Sequence, residues 1–212
     1  MIKYRNNFVI TIDGPSASGK GSLAKQLAEL FNFKYLNTGK LYRIIAVLFG
    51  IEAQYNIKID NVLENKILLL LEDNNTLYND ENIGKIASIL ARYQHIRTAL
   101  LPIQHKLINS ASPGIVLDGR DTSSVIFPNA DFKIFITAQT PLRAQRRFKE
   151  LQQQKKEMYK QVYRHIIQRD IRDIYRKSSP LIKVENALYV DSSYMNKEEV
   201  LSYIKEKIKT YL

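Results

Sequence analysis

Residues 8–21 read FVITIDGPSASGKG, and the fold follows from how that stretch is built. Phe8 to Asp13 is a short apolar, β-branched run, which predicts a buried strand. From Lys20 to Phe31 the apolar residues Leu23, Ala24, Leu27, Ala28, Leu30 and Phe31 recur at helical spacing. Between strand and helix, Gly14, Gly19 and Lys20 meet the spacing G-x4-G-K. A glycine turn there lets backbone N–H groups wrap phosphate oxygens, and the helix start adds donors and the positive end of its dipole. Lys20 adds a point charge for the β- and γ-phosphates of a nucleoside triphosphate. The nucleotide-binding candidates are therefore Gly14, Pro15, Ser16, Ala17, Ser18, Gly19, Lys20, Gly21 and Ser22. The dinucleotide pattern G-x-G-x-x-G is absent at this turn. The residue after the lysine, which usually offers a hydroxyl to magnesium, is Gly21. The hydroxyl comes one residue later, so Ser22 is expected to touch phosphate or a magnesium-bound water.

Working outward, Phe33–Leu36, Ile115–Asp118, Phe132–Thr137 and Ala187–Asp191 are further predicted strands. Lys40–Phe49 and Glu198–Tyr211 are predicted helices. Strands alternating with helices predict an α/β fold, a mainly parallel sheet with helices on both faces. Two regions break the rhythm. Residues 50–93 are polar and asparagine-rich, and read as an inserted lobe of short helices and loops. Residues 149–176 are basic and strand-free, and read as a helical lid. A single domain of 212 residues is expected, with its core in 1–49, 94–148 and 177–212.

The absence of cysteine excludes a disulfide scaffold and any cysteine-ligated metal. No apolar run is long enough for a signal core or a membrane span, so a cytoplasmic protein is expected. No exposed apolar helix face is left over, which predicts a monomer. The net charge of +11 favours a phosphorylated partner without choosing between nucleotide and nucleic acid. Its distribution is more informative. Residues 143–177 carry seven arginines and five lysines against four acids, and clustered arginine suits bidentate gripping of phosphate oxygens.

A phosphate-binding turn serves ATPases, GTPases and kinases alike. The guanine-reading segment N/T-K-x-D is missing. The segment VLDGRD instead offers Asp118 to hold magnesium through water, Arg120 to grip a substrate phosphate and Asp121 to accept from a base amino group. Each would equally serve an ordinary surface salt bridge. In YLNTGKLYR, Thr38 is expected to cap the following helix. Arg43, set in the apolar run LYRIIAVLF, wants an anion. In QRDIRDIYR, Arg169, Arg172, Asp173 and Arg176 fall on one helical face, where arginines would meet phosphates and Asp173 ribose hydroxyls. A plain intrahelical salt ladder has the same spacing.

Taken together, ITIDGPSASGKGSLAKQLAE, LNTGKLYR, ASILARYQHIRTAL, DGRDTSSVIFPNADFKIFITA and QRDIRDIYRKSSPL resemble the bacterial cytidylate kinases, within the nucleoside monophosphate kinases. They touch most of the chain. DGRD with VIFPNADFKIF, and the RD-x-R-D-x-x-R string, are the specific parts. The resemblance implies a three-layer phosphate-loop kinase fold with a monophosphate-binding lobe and a mobile lid. It implies magnesium-dependent phosphoryl transfer from ATP to CMP or dCMP. By the same resemblance Thr38, Arg43 and Arg120 bind the acceptor phosphate, and Ser88, Arg97 and Asp121 read the cytosine. Arg169 and Asp173 lie near the acceptor phosphate and sugar, and Arg176 lies at the transfer site. Arg143, Arg146 or Arg147 would join Arg176 and Lys20 in neutralising the transferred group. Two departures stand out. Asn37 takes the place of an aspartate, and the signature G-E-x-V-S-x-x-I-R is missing before Tyr78. The partners implied are small nucleotides, with no membrane and no stable nucleic acid complex. The readings held against this are a UMP or dTMP kinase, a nucleic-acid-binding NTPase and a non-catalytic protein.

Overall fold

The computed structural model describes residues 7–73, 76–152 and 158–209. Residues 74–75 of the expected lobe, 153–157 of the expected lid and the chain's two ends lie outside them. In chain order the elements are β1 (Phe8–Asp13), α1 (Lys20–Phe31), β2 (Lys34–Asn37), α2 (Thr38–Phe49), α3 (Asn61–Glu72) and α4 (Glu81–Leu90). They continue with α5 (Gln94–Asn109), β3 (Gly114–Gly119), β4 (Phe132–Thr137), α6 (Thr140–Gln152), α7 (Tyr159–Tyr175), β5 (Leu188–Asp191) and α8 (Lys197–Lys209).

Among the described residues five strands form one parallel sheet, in the order β2-β3-β1-β4-β5. β1 and β3 are buried at every residue because helices cover both faces of the sheet. On one face α1 and α8 pack through Leu23, Leu27, Val200 and Ile204 against Ile10, Ile12 and Ile134. On the other face Ile108 of α5 closes over Val9, Ile115 and Leu117. This is the three-layer α/β arrangement expected from the alternation of elements. A separate apolar cluster joins α2, α3, α4 and α5 through Leu41, Ile45, Ile67, Leu90 and Leu100. A fourth holds α6 to α7 through Ala144, Leu151, Val162 and Ile166. Among the described residues no helix is long and apolar enough to cross a membrane.

The topology sets the site. The chain leaves β1 toward β2 on one side and leaves β3 toward β4 on the other. The loops after these two neighbouring strands therefore diverge and open a crevice at their carboxyl ends. The glycine turn follows β1 and the segment GRD follows β3, so residues more than 100 positions apart in sequence meet there.

Two local expectations are corrected. Thr38 does not cap α2. Asn37 does, its side-chain oxygen accepting from the Lys40 amide at 3.2 Å. Thr38 is the first helical residue, and its hydroxyl donates to the Asp118 carbonyl at 2.9 Å. The helix consequently starts two residues before Lys40. The basic helix pair also begins earlier than residue 149, since α6 starts at Thr140.

Candidate active site

At the glycine turn, close approach and backbone conformation explain the glycines. A Cβ at Gly14 would lie 2.0 Å from the Ile136 carbonyl oxygen, and Gly19 has φ +90°. Gly19 precedes α1 without a side-chain cap, so the first amides of the helix remain for an anion. The Ser18 hydroxyl is buried without a hydrogen-bond partner. Lys20 is 8% exposed and donates to the Pro15 carbonyl at 3.0 Å. Burial, followed by the nearby Arg120 charge, pulls its ammonium down to about 7, against the opposing pull of Asp118. At Gly21, where the usual hydroxyl is missing, a Cβ would sit 3.1 Å from Asp118 Oδ2, a tight contact with a side chain. Ser22 is half-buried on the same turn of α1.

Beside the turn, a cleft of about 260 Å³ is lined by Lys20, Thr38, Arg43, Ser88, Arg97, Arg120, Asp121, Arg147, Arg169, Asp173 and Arg176. Asp121, 4% exposed, is held between two guanidinium groups. Arg97 Nη2 donates to its Oδ2 and Arg176 Nη2 to its Oδ1 at 3.3 Å. Arg97 lies over the Tyr42 ring, 5.6 Å from its centre. Arg120 Nε donates to Asp173 Oδ2 at 2.8 Å. Burial alone would raise the Asp173 carboxyl, but Arg120, Arg169 and Arg176 outweigh it and hold the group below the usual carboxylate range. Arg169 Nε is buried without a hydrogen-bond partner, 4.0 Å from Asp173 Oδ2, and burial with the Arg120 charge pulls the guanidinium down to about 10. Arg43 Nη1 donates to the Tyr78 and Asp80 carbonyls at 2.6 and 3.2 Å. The Ser88 hydroxyl accepts from Arg172 Nε at 3.2 Å.

Three arginines of α6 divide their work. Arg147 faces the cleft and donates to Glu81 and to Glu150. Arg146 turns away, donating to the Ser192 hydroxyl at 3.1 Å and carbonyl at 2.6 Å. Arg143, expected at the transferred phosphoryl group, lies outside the cleft lining in this structure. Its guanidinium is used up on Ala138 O (2.8 Å), Ser16 O (2.9 Å), Asp170 Oδ2 (2.5 Å) and Thr140 Oγ1 (2.7 Å). Asp170 Oδ1 in turn accepts from the Ser16 amide at 3.0 Å. The pair clamps the glycine turn to α6 and α7. Arg143→Lys retains the charge but cannot span these acceptors. It is expected to raise the KM for a nucleotide bound at the glycine turn about fivefold, near 1 kcal/mol, and to leave the KM for any second substrate within about twofold. Initial-rate measurements with each substrate varied check this.

Sequence reasoning missed Asp13. Its carboxylate is fully buried and accepts from the amides and hydroxyls of Thr122 and Ser123 at 2.5–2.8 Å. Burial outweighs these bonds and raises its carboxyl. Asp13 thereby ties the end of β1, next to Gly14, to the turn that carries Arg120 and Asp121. An aspartate closing a buried strand is a visible signal, but its four donors lie about 110 positions away. Glu81 and Asp170 were missed for the same reason.

A glycine turn capping α1 at one end of a cleft and convergent arginines at the other define a phosphate-loop kinase with a phosphorylated acceptor. Residues 10–210 match the family model described as Cytidylate kinase. The chain belongs to the cytidylate kinase family. A cytidylate kinase of Rickettsia africae is 40% identical over 95% of this chain and 94% of its own. One from Fusobacterium nucleatum is 36% identical over 96% of this chain and 98% of its own. A crystal structure of an uncharacterized protein from Eubacterium ventriosum superposes with a TM-score of 0.57 at 14% identity, covering 96% of this chain and 99% of that one. That likeness shows the fold alone.

Proposed function

We infer that the protein transfers the γ-phosphoryl group of ATP to the phosphate of CMP or dCMP, giving CDP or dCDP. The observation that carries this reading is the convergence of Lys20 with Arg43, Arg120, Arg169 and Arg176 on one cleft. It accounts for part of the chain's positive charge without a polynucleotide. An oxygen of the CMP phosphate forms the new bond to the γ-phosphorus, the bond from that phosphorus to the β,γ-bridging oxygen breaks, and ADP leaves with the electron pair. The acceptor oxygen is already anionic near neutral pH, so no base is required. The protein's task is to align two repelling phosphates and spread their charge.

Lys20 and the loop amides from Gly14 to Ser22 hold ATP. Thr38, Arg43, Arg120 and Arg169 hold the acceptor phosphate, with Asp173 toward the sugar. Ser88, Arg97 and Asp121 read the cytosine edge. Arg176 and Arg147 neutralise the group in transit. Asp118 Oδ1 is buried without a partner, and no cluster of three or more acidic or histidine side chains occurs among the described residues. That pattern fits magnesium, which is commonly bound by one or two carboxylates together with substrate phosphates and water. Asp118 and Ser22 would hold it through water, and the ion would offset charge on the ATP phosphates. The lobe 50–93 and lid 149–176 would close on the core 1–49, 94–148 and 177–212, excluding water from the reaction.

The test is ADP release with CMP, dCMP, UMP and dTMP compared side by side. CMP and dCMP are expected to give kcat/KM at least about 100-fold above UMP and dTMP, the order of discrimination a polar base pocket provides. Equal rates with UMP or dTMP would replace the acceptor. Polynucleotide-stimulated hydrolysis without a phosphorylated product would replace the reaction class.

A further inference from the structure

Glu81 begins α4, behind the cap formed by Asp80, whose Oδ1 accepts from the Asn82 and Ile83 amides. Its side chain is 32% exposed, at the rim of the cleft. It faces the cleft, where Arg147 Nε donates to Oε1 at 2.9 Å and Nη2 donates to the same oxygen. The charges of Arg43 and Arg169 also feel it, and both guanidinium groups are otherwise pressed down by burial and by Arg120 or Arg147. An anion therefore already sits in the cleft lined by the acceptor-phosphate arginines Arg43, Arg120 and Arg169, paired there with Arg147, which the reading above places at the group in transit. It belongs to the lobe, whereas its partner Arg147 belongs to α6.

We propose that Glu81 is an internal anion that competes with the bound phosphates for Arg147, in the cleft that Arg43 and Arg169 also line, and so weakens retention of both acceptor and diphosphate product. A carboxylate beside a bound phosphate repels it, and a guanidinium engaged by a carboxylate must give up that partner to take a phosphate oxygen. A neutral side chain at the same place leaves the arginines paired less well with the protein and better with the ligand. Glu81 is in this sense a specificity residue for charge, limiting how much phosphate the site retains. The proposal rests on the acceptor-phosphate reading of the cluster.

The experiment uses the full chain with saturating ATP and magnesium, and inorganic phosphate as a competitor against CMP. Glu81→Gln is expected to lower the KM for CMP about three- to tenfold, to tighten competitive inhibition by phosphate and by CDP by a similar factor, and to leave the KM for ATP within about twofold. Glu81→Asp, which keeps the charge, is expected to stay on the wild-type side. A KM for CMP that is unchanged or higher in Glu81→Gln overturns the proposal and makes Glu81 a support for Arg147. Arg43→Met separates the two levels. If it raises the KM for CMP tenfold or more while Glu81→Gln lowers nothing, Glu81's role alone falls. If it leaves that KM unchanged, the acceptor site itself has been misplaced and both readings fall.

Discussion

Lys20→Met is expected to abolish phosphoryl transfer while making the nucleotide-free protein more stable. Losing the charge proposed to meet the β- and γ-phosphates would remove about 4 kcal/mol of transition-state stabilisation, near a 1,000-fold fall in kcat. Stability moves the other way. Lys20 is buried beside Arg120, and its ammonium is pulled from 10.5 to about 7. The unfolded chain thus binds more protons than the folded one between pH about 7 and 10.5, so stability rises with pH across that window. Below about pH 7 the folded protein bears the full penalty of a charged, buried lysine. Methionine fills the same space without charge, and at pH 7 the variant is expected to melt about 2–6 °C higher. Calorimetry of the free proteins and a transfer assay on the same samples check both halves. A second signature concerns ATP itself. Bound phosphate restores the ammonium, so binding takes up a proton above pH 7, and wild-type affinity for ATP is expected to fall by up to about tenfold per pH unit between 7 and 9. Lys20→Met abolishes that slope. A variant with near-normal turnover, or one that melts lower than wild type, is incompatible with a lysine held for phosphate at the expense of the fold.

The same residue shows what a sequence can carry. Strand β1, helix α1 and strand β4 were legible to the residue, because β-branched runs and a 3.6-residue apolar period are local signals that tertiary packing here reinforces. The glycine turn was legible because spacing, lysine and flanking elements coincide within 14 residues. Residues whose meaning depends on a remote partner were not. Thr38 looks like a cap, yet the Asp118 carbonyl on the neighbouring strand takes its hydroxyl, and Asn37 does the capping. Arg143 looks like its neighbour Arg147, one helical turn away. The first braces the glycine turn through Asp170, and only the second reaches the cleft. Helical periodicity places both on α6 but says nothing of which carboxylate each will meet. Asp13 shows the limit most clearly, since nothing near it in sequence hints at the four donors that fix it.

Asp121→Asn is expected to lose about 100-fold or more in kcat/KM for CMP, with the KM for ATP within about twofold. Both carboxylate oxygens of Asp121 are engaged, one by Arg97 and one by Arg176, in a pocket where these three residues are 4–6% exposed. An asparagine keeps the shape but turns one acceptor into a donor that must face a guanidinium N–H. The remaining oxygen cannot serve both arginines and the 4-amino group of cytosine. Selection should also relax. Uracil carries an oxygen where cytosine carries the amino group, and a carboxylate repels it, whereas an amide can rotate to donate to it. The CMP-to-UMP ratio of kcat/KM is therefore expected to fall at least about tenfold. Asparagine is a better probe than alanine. Asp121→Ala strands two buried guanidinium groups, a loss of about 3–5 kcal/mol of the kind seen when one partner of a buried pair is removed. With a melting shift of about 2–4 °C per kcal/mol for a domain of this size, that variant would melt roughly 10 °C lower and confuse selection with unfolding. Initial rates with CMP and UMP, taken well below the melting transition of each variant, separate the two effects. An unchanged CMP-to-UMP ratio in Asp121→Asn would mean that the carboxylate serves only to hold Arg97 and Arg176 in place, and that the base is read elsewhere.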